Sequence, residues 1–229
     1  PKLRIRDHPG LDLFSMHVLA ERLAKAFSKL HKVGHVVGDL KDTNALFDPD
    51  TLRVFLIDTD SFGITDNNGG IRYPADATTP DWSPREYHEK QTEVGIAHDL
   101  FSLAVLYHWL LFAVHPFTGL TTEDNEGMTV NAICQGRWLY CDGPNPNPVL
   151  PSIEVVAPEL QHLFTRAFRD GHRGPNARPS AEEWEAAFYE ARFDLKWCDE
   201  HARHVYDRHA SRCPWCALEH ERWGTGRSA

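Results

Sequence analysis

The chain has 229 residues, with 24 Lys plus Arg against 33 Asp plus Glu, a formal net charge of −9. Its 41% hydrophobic and 25% charged residues suit a globular protein of one large domain, or one domain with a small appendage. The acidic balance argues against a general nucleic-acid binder, which needs a basic face for phosphates, and no apolar run approaches the length needed to cross a bilayer, so neither nucleic acid nor membrane is an expected partner.

Residues 1–13 read as an irregular hinge or linker remnant, with a turn at Pro9-Gly10. From Leu13 to Val33 apolar residues recur at helical spacing (Phe14, Val18, Leu19, Leu23, Phe27, Leu30), which predicts a long helix capped by Ser15 and stopped by Gly34. Val36-Val37, Ala45–Phe47 and Val54–Ile57 are strand-like, and Asp48-Pro49-Asp50 makes the last two a hairpin. Residues 63–82 are a long loop, a length that is usually functional or disordered. Helices are expected over Ala97–Val114, Thr129–Gln135, Pro158–Arg169 and Ser180–Ala191, the last with Ser180 and Glu183 as a capping box, and Pro144–Pro148 is a loop. After Trp197 the composition changes, and a separate small module is expected at 197–220 with a frayed tail at 221–229.

The stretch His35-Val-Val-Gly-Asp39-Leu-Lys41-Asp-Thr-Asn44, followed by Asp58, carries the chemistry. Phosphoryl transfer needs a carboxylate to orient the attacking hydroxyl and take its proton, a cation to spread the developing charge, and hard oxygen ligands for metal ions. Asp39 can be that base, Lys41 can reach the transferred phosphate, and Asn44 and Asp58 offer oxygens to Mg²⁺ or Mn²⁺. An Asp-x-Lys triple by itself has little specificity, and an ordinary polar turn is the plain alternative.

The order of the surrounding motifs is more specific. Asp39-Leu-Lys-Asp-Thr-Asn44 resembles the catalytic loop of Ser/Thr protein kinases, and Asp58 stands where their metal-binding Asp would be. Thr79-Pro-Asp-Trp-Ser-Pro-Arg-Glu86 resembles the end of an activation segment; His98-Asp99 opens what resembles the buried helix of that fold; His115-Pro-Phe117 and Ala177-Arg178-Pro-Ser follow in kinase order. The resemblance covers residues 14–192. It implies an α+β, mainly α, kinase-like C-lobe with short hairpins at the catalytic loop, binding ATP and Mg²⁺ and acting on a protein Ser or Thr. It implies an ion pair of Glu86 with Arg178, Asp99 bonded to the catalytic-loop backbone, and Thr79 bonded to Asp39 and Lys41. Gly38-Asp39, Ile57–Phe62 and the Cys-rich tail are similar to a bacterial subgroup linked to helix-hairpin-helix or tellurite-resistance-associated phosphorylation modules, whose tail is zinc-ribbon-like. For that subgroup a phosphatase or a von Willebrand A-type protein is an implied partner beside the protein substrate.

The sequence departs from the pattern in three places. Val37-Gly38 replaces the usual His-Arg, which leaves a phosphate on the activation segment without its usual partner and predicts activity independent of loop phosphorylation. Thr59-Asp60 replaces the usual Phe-Gly, with Asp60 expected as a capping group. No Gly-rich loop precedes Leu13, so most of the nucleotide-clamping N-lobe is expected to be absent from these residues, and the missing initiator Met suits an excised fragment. A catalytically inactive kinase-like scaffold that docks a protein partner is the alternative function.

Three of the five Cys lie beyond residue 197, which favours a metal site in a reducing compartment, the cytoplasm, over a disulfide framework. Cys198, His204, Cys213 and Cys216 supply four ligands for structural Zn²⁺, the Cys213-Pro-Trp-Cys216 pair biting one ion through a tight turn. His201 or His209 can each replace His204, which is preferred because His204-Val-Tyr206 resembles the subgroup's tail. Trp215 is expected to pack the knuckle, with Trp197 and Trp223 doing likewise.

Overall fold

A computed structural model describes residues 11–66, 70–118, 128–143 and 150–224; the Pro9-Gly10 turn, the Pro144–Pro148 loop, the Trp223 side chain and residues 225–229 lie outside what is described. Helix α1 spans Leu13–Lys32. Its cap is Asp12, not Ser15: Asp12 Oδ1 accepts from both the Ser15 backbone N–H and its hydroxyl, each at 2.9 Å. Ser15 is already one of the first-turn residues whose amide lacks a helical partner, so the residue ahead of the helix takes the capping role. Gly34 ends α1 at φ 77°, a region that a side chain disfavours.

Strands β1 (Ala45–Phe47) and β2 (Val54–Leu56) pair antiparallel in the register Ala45↔Leu56, Leu46↔Phe55, Phe47↔Val54. Asp48 closes the turn, its Oδ1 accepting from the Asp50 amide at 2.9 Å and its backbone N–H donating to Arg53 O at 2.9 Å. Val36-Val37 is not a strand; Val36 makes a single antiparallel bridge with Gly63. The expected 63–82 loop holds its own small hairpin, β3 (Ile64–Thr65) with β4 (Arg72–Tyr73), and a 3₁₀ turn at Pro80–Trp82.

Helices α2 (Arg85–His88), α3 (Ile96–Phe112) and α4 (Met128–Gln135) follow. α3 is buried on almost every face, as an all-apolar helix must be in a globular protein. Among the described residues no helix is long and apolar enough to cross a membrane. The helix expected over Pro158–Arg169 forms and continues to Arg173, with a π-helical turn inside it. α5 (Pro158–Thr165) runs into a π-helical turn at Arg166–Asp170 and then α6 (Gly171–Arg173). The turn carries Gly171 against Arg178, where a Cβ would lie 2.5 Å from Arg178 Cγ. Helix α7 (Ala181–Ala191) has both halves of its Ser180/Glu183 capping box.

The chain is mainly helical with three small antiparallel strand pairs among the described residues, hence α+β, mainly α. Its core is aromatic. Tyr107 of α3 meets Trp184 and Phe188 of α7 at ring distances of 5.1 and 4.8 Å, and Phe164 reaches Trp184 at 5.0 Å. α1 lies along α7, with Arg192 bonded to Glu21 at 2.7 Å across the seam. The Cys-rich tail forms β5 (Leu195–Trp197), β6 (Val205–Asp207) and α8 (Pro214–Gly224). Its Val205, Tyr206, Ala210 and Cys213 belong to the same buried cluster as α1 and α3. Trp215 packs there and donates to Val205 O at 2.7 Å, whereas Trp197, paired with Val205 across the strands, is 60% exposed.

Candidate functional site

The turn after α1 is fixed from below by one carboxylate. Fully buried Asp99, in the first turns of α3, accepts from Val37 N at 2.8 Å and Gly38 N at 2.9 Å, and His31 Nε2 lies 3.0 Å from the same group. It is fixed from above by the segment after Asp58. Val36 and Gly63 exchange backbone bonds at 2.9 and 2.8 Å, and the Ser61 hydroxyl donates to Val37 O. Gly38 sits at φ 80°, and a Cβ there would come within 2.9 Å of both Ala75 Cβ and Ser61 O. The sequence gap at the usual Arg position therefore has a packing reason: the overlying segment occupies that space.

This clamp presents Asp39 with its carboxylate in a cage. Thr79 Oγ1 donates to Oδ1 at 2.6 Å, Lys41 Nζ to Oδ2 at 2.5 Å, and Asn44 Nδ2 lies 3.3 Å from Oδ2. Lys41 also donates to Thr79 Oγ1 at 3.0 Å. Burial pushes the Asp39 carboxyl up, but the hydrogen bonds from Lys41 and Thr79 and the Lys41 charge outweigh it and hold it below the ordinary aspartate value. Asp39 is thus a carboxylate at neutral pH, able to accept a proton. Asn44 is pinned through Nδ2 to Asp39 O at 2.8 Å, and its Oδ1 accepts from Thr43 Oγ1 at 3.4 Å.

Asp58 reaches the same place through the hairpin. Ile57 N donates to Asn44 O at 3.0 Å, extending the β1–β2 register, so Asn44 and Asp58 sit at one end of the two strands. Asp58 is exposed and left-handed, φ 60° and ψ 48°, a region that Asp tolerates better than most side chains. It stands at the cap position of the 3₁₀ turn Thr59–Ser61, and Asp60, expected as a capping group, lies inside that turn instead. Lys41, Asn44 and Thr79 each bond Asp39, and Asp58 follows Ile57, which pairs with Asn44 through the backbone. Asn44 and Asp58 each carry an oxygen of the hard type, the ligand type that a Mg²⁺-like ion takes.

Sequence reasoning missed the apolar face beside this cage. Leu46 and Phe55 stand directly across the hairpin and are 42% and 50% exposed, with Ile57 at 41%. The runs read only as a hairpin; strands alternate faces, and apolar side chains at the outward positions were the available signal.

Thr79–Glu86 is anchored in turn. Ser102 of α3 donates to Trp82 O at 2.7 Å, and His115 Nε2 lies 3.0 Å from Asp81 O. Arg178 holds Glu86 bidentately, at 2.5 and 2.9 Å, and donates also to Ala97 O and Gly171 O. Both partners are buried.

In the tail, Cys198, His204, Cys213 and Cys216 place their ligand atoms within 4.8 Å of one another. Cys216 Sγ is 3.5 Å from Cys198 Sγ and 3.4 Å from His204 Nδ1, which is 3.6 Å from Cys213 Sγ. All three Cys are free thiols. Tetrahedral Zn²⁺ with Zn–S near 2.3 Å and Zn–N near 2.0 Å separates its ligands by roughly 3.5–3.8 Å, so the cluster can hold such an ion. His201 stacks outside on His204, and His209 is bonded to Asp207 at 2.7 Å, so neither replaces His204 in this cluster.

No protein-family model matches the chain. It is 31% identical over 232 aligned residues, 96% of its own length, to a protein named protein kinase YegI from Escherichia coli O157:H7, and 30% identical over the same span to protein kinase YegI of Escherichia coli strain K12. The chain spans 35% of the length of these relatives. The similarity supports a kinase-like relationship.

Proposed function

We propose, from that likeness and from the Asp39–Lys41–Asn44–Thr79 cage, that the chain is the C-lobe of a protein kinase that transfers a phosphoryl group from ATP to a Ser or Thr hydroxyl of a protein. Residues 14–192 form the lobe and 197–220 a zinc knuckle docked on it. The cage carries the reading, because a scaffold has no need to hold a lysine and an asparagine on one ionised aspartate.

In this reading Asp39 Oδ2 or Oδ1 receives the hydroxyl proton as the hydroxyl oxygen bonds to the γ-phosphorus and the bond to the bridging oxygen of ADP breaks. Lys41 faces the same carboxylate and supplies positive charge to the transferred group. Thr79 fixes the Asp39 rotamer and limits the room beside it, which suits a small aliphatic hydroxyl. Asn44 Oδ1 and Asp58 would hold Mg²⁺ or Mn²⁺, which neutralises phosphate charge when bound. The exposed Leu46, Phe55 and Ile57 offer the apolar face that a nucleotide base needs. Cys198, His204, Cys213 and Cys216 hold structural Zn²⁺, with no ligand position left for chemistry.

The test is transfer from labelled ATP by the full-length natural gene product, intact beside Asp58→Asn. Transfer that disappears in the variant supports the assignment. Absence of transfer from folded, zinc-loaded protein with Mg²⁺ and general protein substrates present would leave a docking scaffold as the better reading.

A further inference from the structure

The metal cluster uses one nitrogen of His204 and leaves the other to be accounted for. Nδ1 faces the sulfurs, 3.4 Å from Cys216 Sγ and 3.6 Å from Cys213 Sγ, so Nε2 faces outward. There it meets Glu219, whose Oε1 lies 3.4 Å from Nε2. Glu219 stands three residues beyond Cys216 on α8, one turn along the same helix face, so the element that supplies a sulfur also supplies the carboxylate. The other carboxylate oxygen is 3.9 Å from His201 Nε2. The His201 ring lies flat on His204, centroids 4.5 Å apart and planes 16° apart, and covers one face of it.

A neutral imidazole has one N–H and one lone pair, and a metal can bind only the nitrogen with the lone pair. Left free, His204 would divide between two tautomers and several ring orientations, one of which suits the cluster. A carboxylate opposite Nε2 favours the hydrogen there and the lone pair on Nδ1, and it fixes the plane of the ring. We propose that Glu219 is the positioning residue of the metal centre, holding His204 in the zinc-binding tautomer, with His201 stacked behind the ring. This rests on the metal-site reading above and is independent of phosphoryl transfer.

The test compares wild type, Glu219→Gln and Glu219→Ala for Zn²⁺ affinity by competition with a chromophoric chelator. Co²⁺ spectra report the coordination, and the ¹⁵N shifts of the His204 ring report its tautomer. Loss of an outer partner of this type weakens metal affinity about 10- to 100-fold. We expect that loss for Glu219→Ala, together with a His204 ring that no longer shows a single Nε2–H form in the metal-free protein. Glu219→Gln keeps an oxygen acceptor and should recover most of the affinity. Equal affinity in wild type and Glu219→Ala would overturn the proposal while leaving the metal site standing. So would equal losses in both variants matched by equal losses of metal-free thermal stability, which would make Glu219 a packing residue. A wild-type protein that binds neither Zn²⁺ nor Co²⁺ would overturn both readings.

Discussion

Arg178 spends its guanidinium on four acceptors in a place without water, two oxygens of Glu86 and the carbonyls of Ala97 and Gly171. Removing it strands a buried carboxylate, which typically costs about 3–5 kcal/mol. Arg178→Ala is therefore expected to lower the urea midpoint sharply; an unchanged midpoint would mean that Glu86 is not held as the structure has it. Two neighbouring threonines give an opposed pair. Thr79 donates to Asp39 at 2.6 Å, whereas the space above Gly38, where a phosphate-binding Arg would stand, is filled by Ala75. If the chain works as proposed, Thr79→Ala slows transfer on the order of 10²-fold by freeing the base, and Thr78→Ala leaves it unchanged. A turnover that requires phosphate on Thr78 would contradict the packing argument. Gly38 itself tolerates no side chain, both for its φ of 80° and for the 2.9 Å approaches, so restoring the usual Arg should damage the loop.

At the level of elements, the two helices that matter most to the site are held by aromatic packing. α3 carries Asp99 and α1 delivers the loop, and both are braced by α7 through Trp184 and Phe188, which are fully buried. Trp184→Ala removes the largest of these side chains and should cost about 3–5 kcal/mol, read as a lower denaturant midpoint at unchanged slope. The π-turn of Arg166–Asp170 is a different kind of element, a widened turn inside a continuous helix that is followed by Gly171 packed against Arg178. The helix expected over 158–169 runs through this turn and ends four residues later, at Arg173.

At the level of the molecule, four histidines are sealed in the core. Burial pushes His17, His98 and His115 down to about 4 and His108 to about 3. The unfolded chain takes up these protons near pH 6.5, and the folded chain does not until about pH 4. Above pH 6.5 the four contribute nothing to the pH dependence. As pH falls below it the unfolded state binds more protons, and stability drops by roughly 1 kcal/mol per histidine per pH unit. Urea midpoints measured in chelator, so that metal release plays no part, should fall steeply between pH 7.5 and 5.5; a flat profile would show that these rings are not sealed. The tail shares that core through Val205, Tyr206, Ala210 and Cys213. Zinc removal is accordingly expected to lower the melting temperature of the whole chain in one transition, because an ion bound to the folded state stabilises everything that folds with it. Two separate transitions would mark the tail as independent.

The sequence alone determined the helices with a clear apolar period, the 45–57 hairpin with its Asp-Pro-Asp turn, the polar constellation from Asp39 to Asp58 and the Cys/His cluster that could hold a metal, since each is written in spacing along one local segment. The pairing of Glu86 with Arg178 and of Asp99 with residues 37–38 was legible through motif order alone, since the partners are far apart in the chain. What only the tertiary structure decided is where distant segments compete for the same space. It put Ala75 where an Arg side chain would go, widened the 158–173 helix by a π-turn beside Arg178, chose Asp12 over Ser15 as the cap, turned Leu46, Phe55 and Ile57 outward, and gave His204 rather than His201 or His209 to the sulfurs with Glu219 behind it. Local periodicity carries no record of such contacts, because they depend on which surfaces the packed core brings face to face.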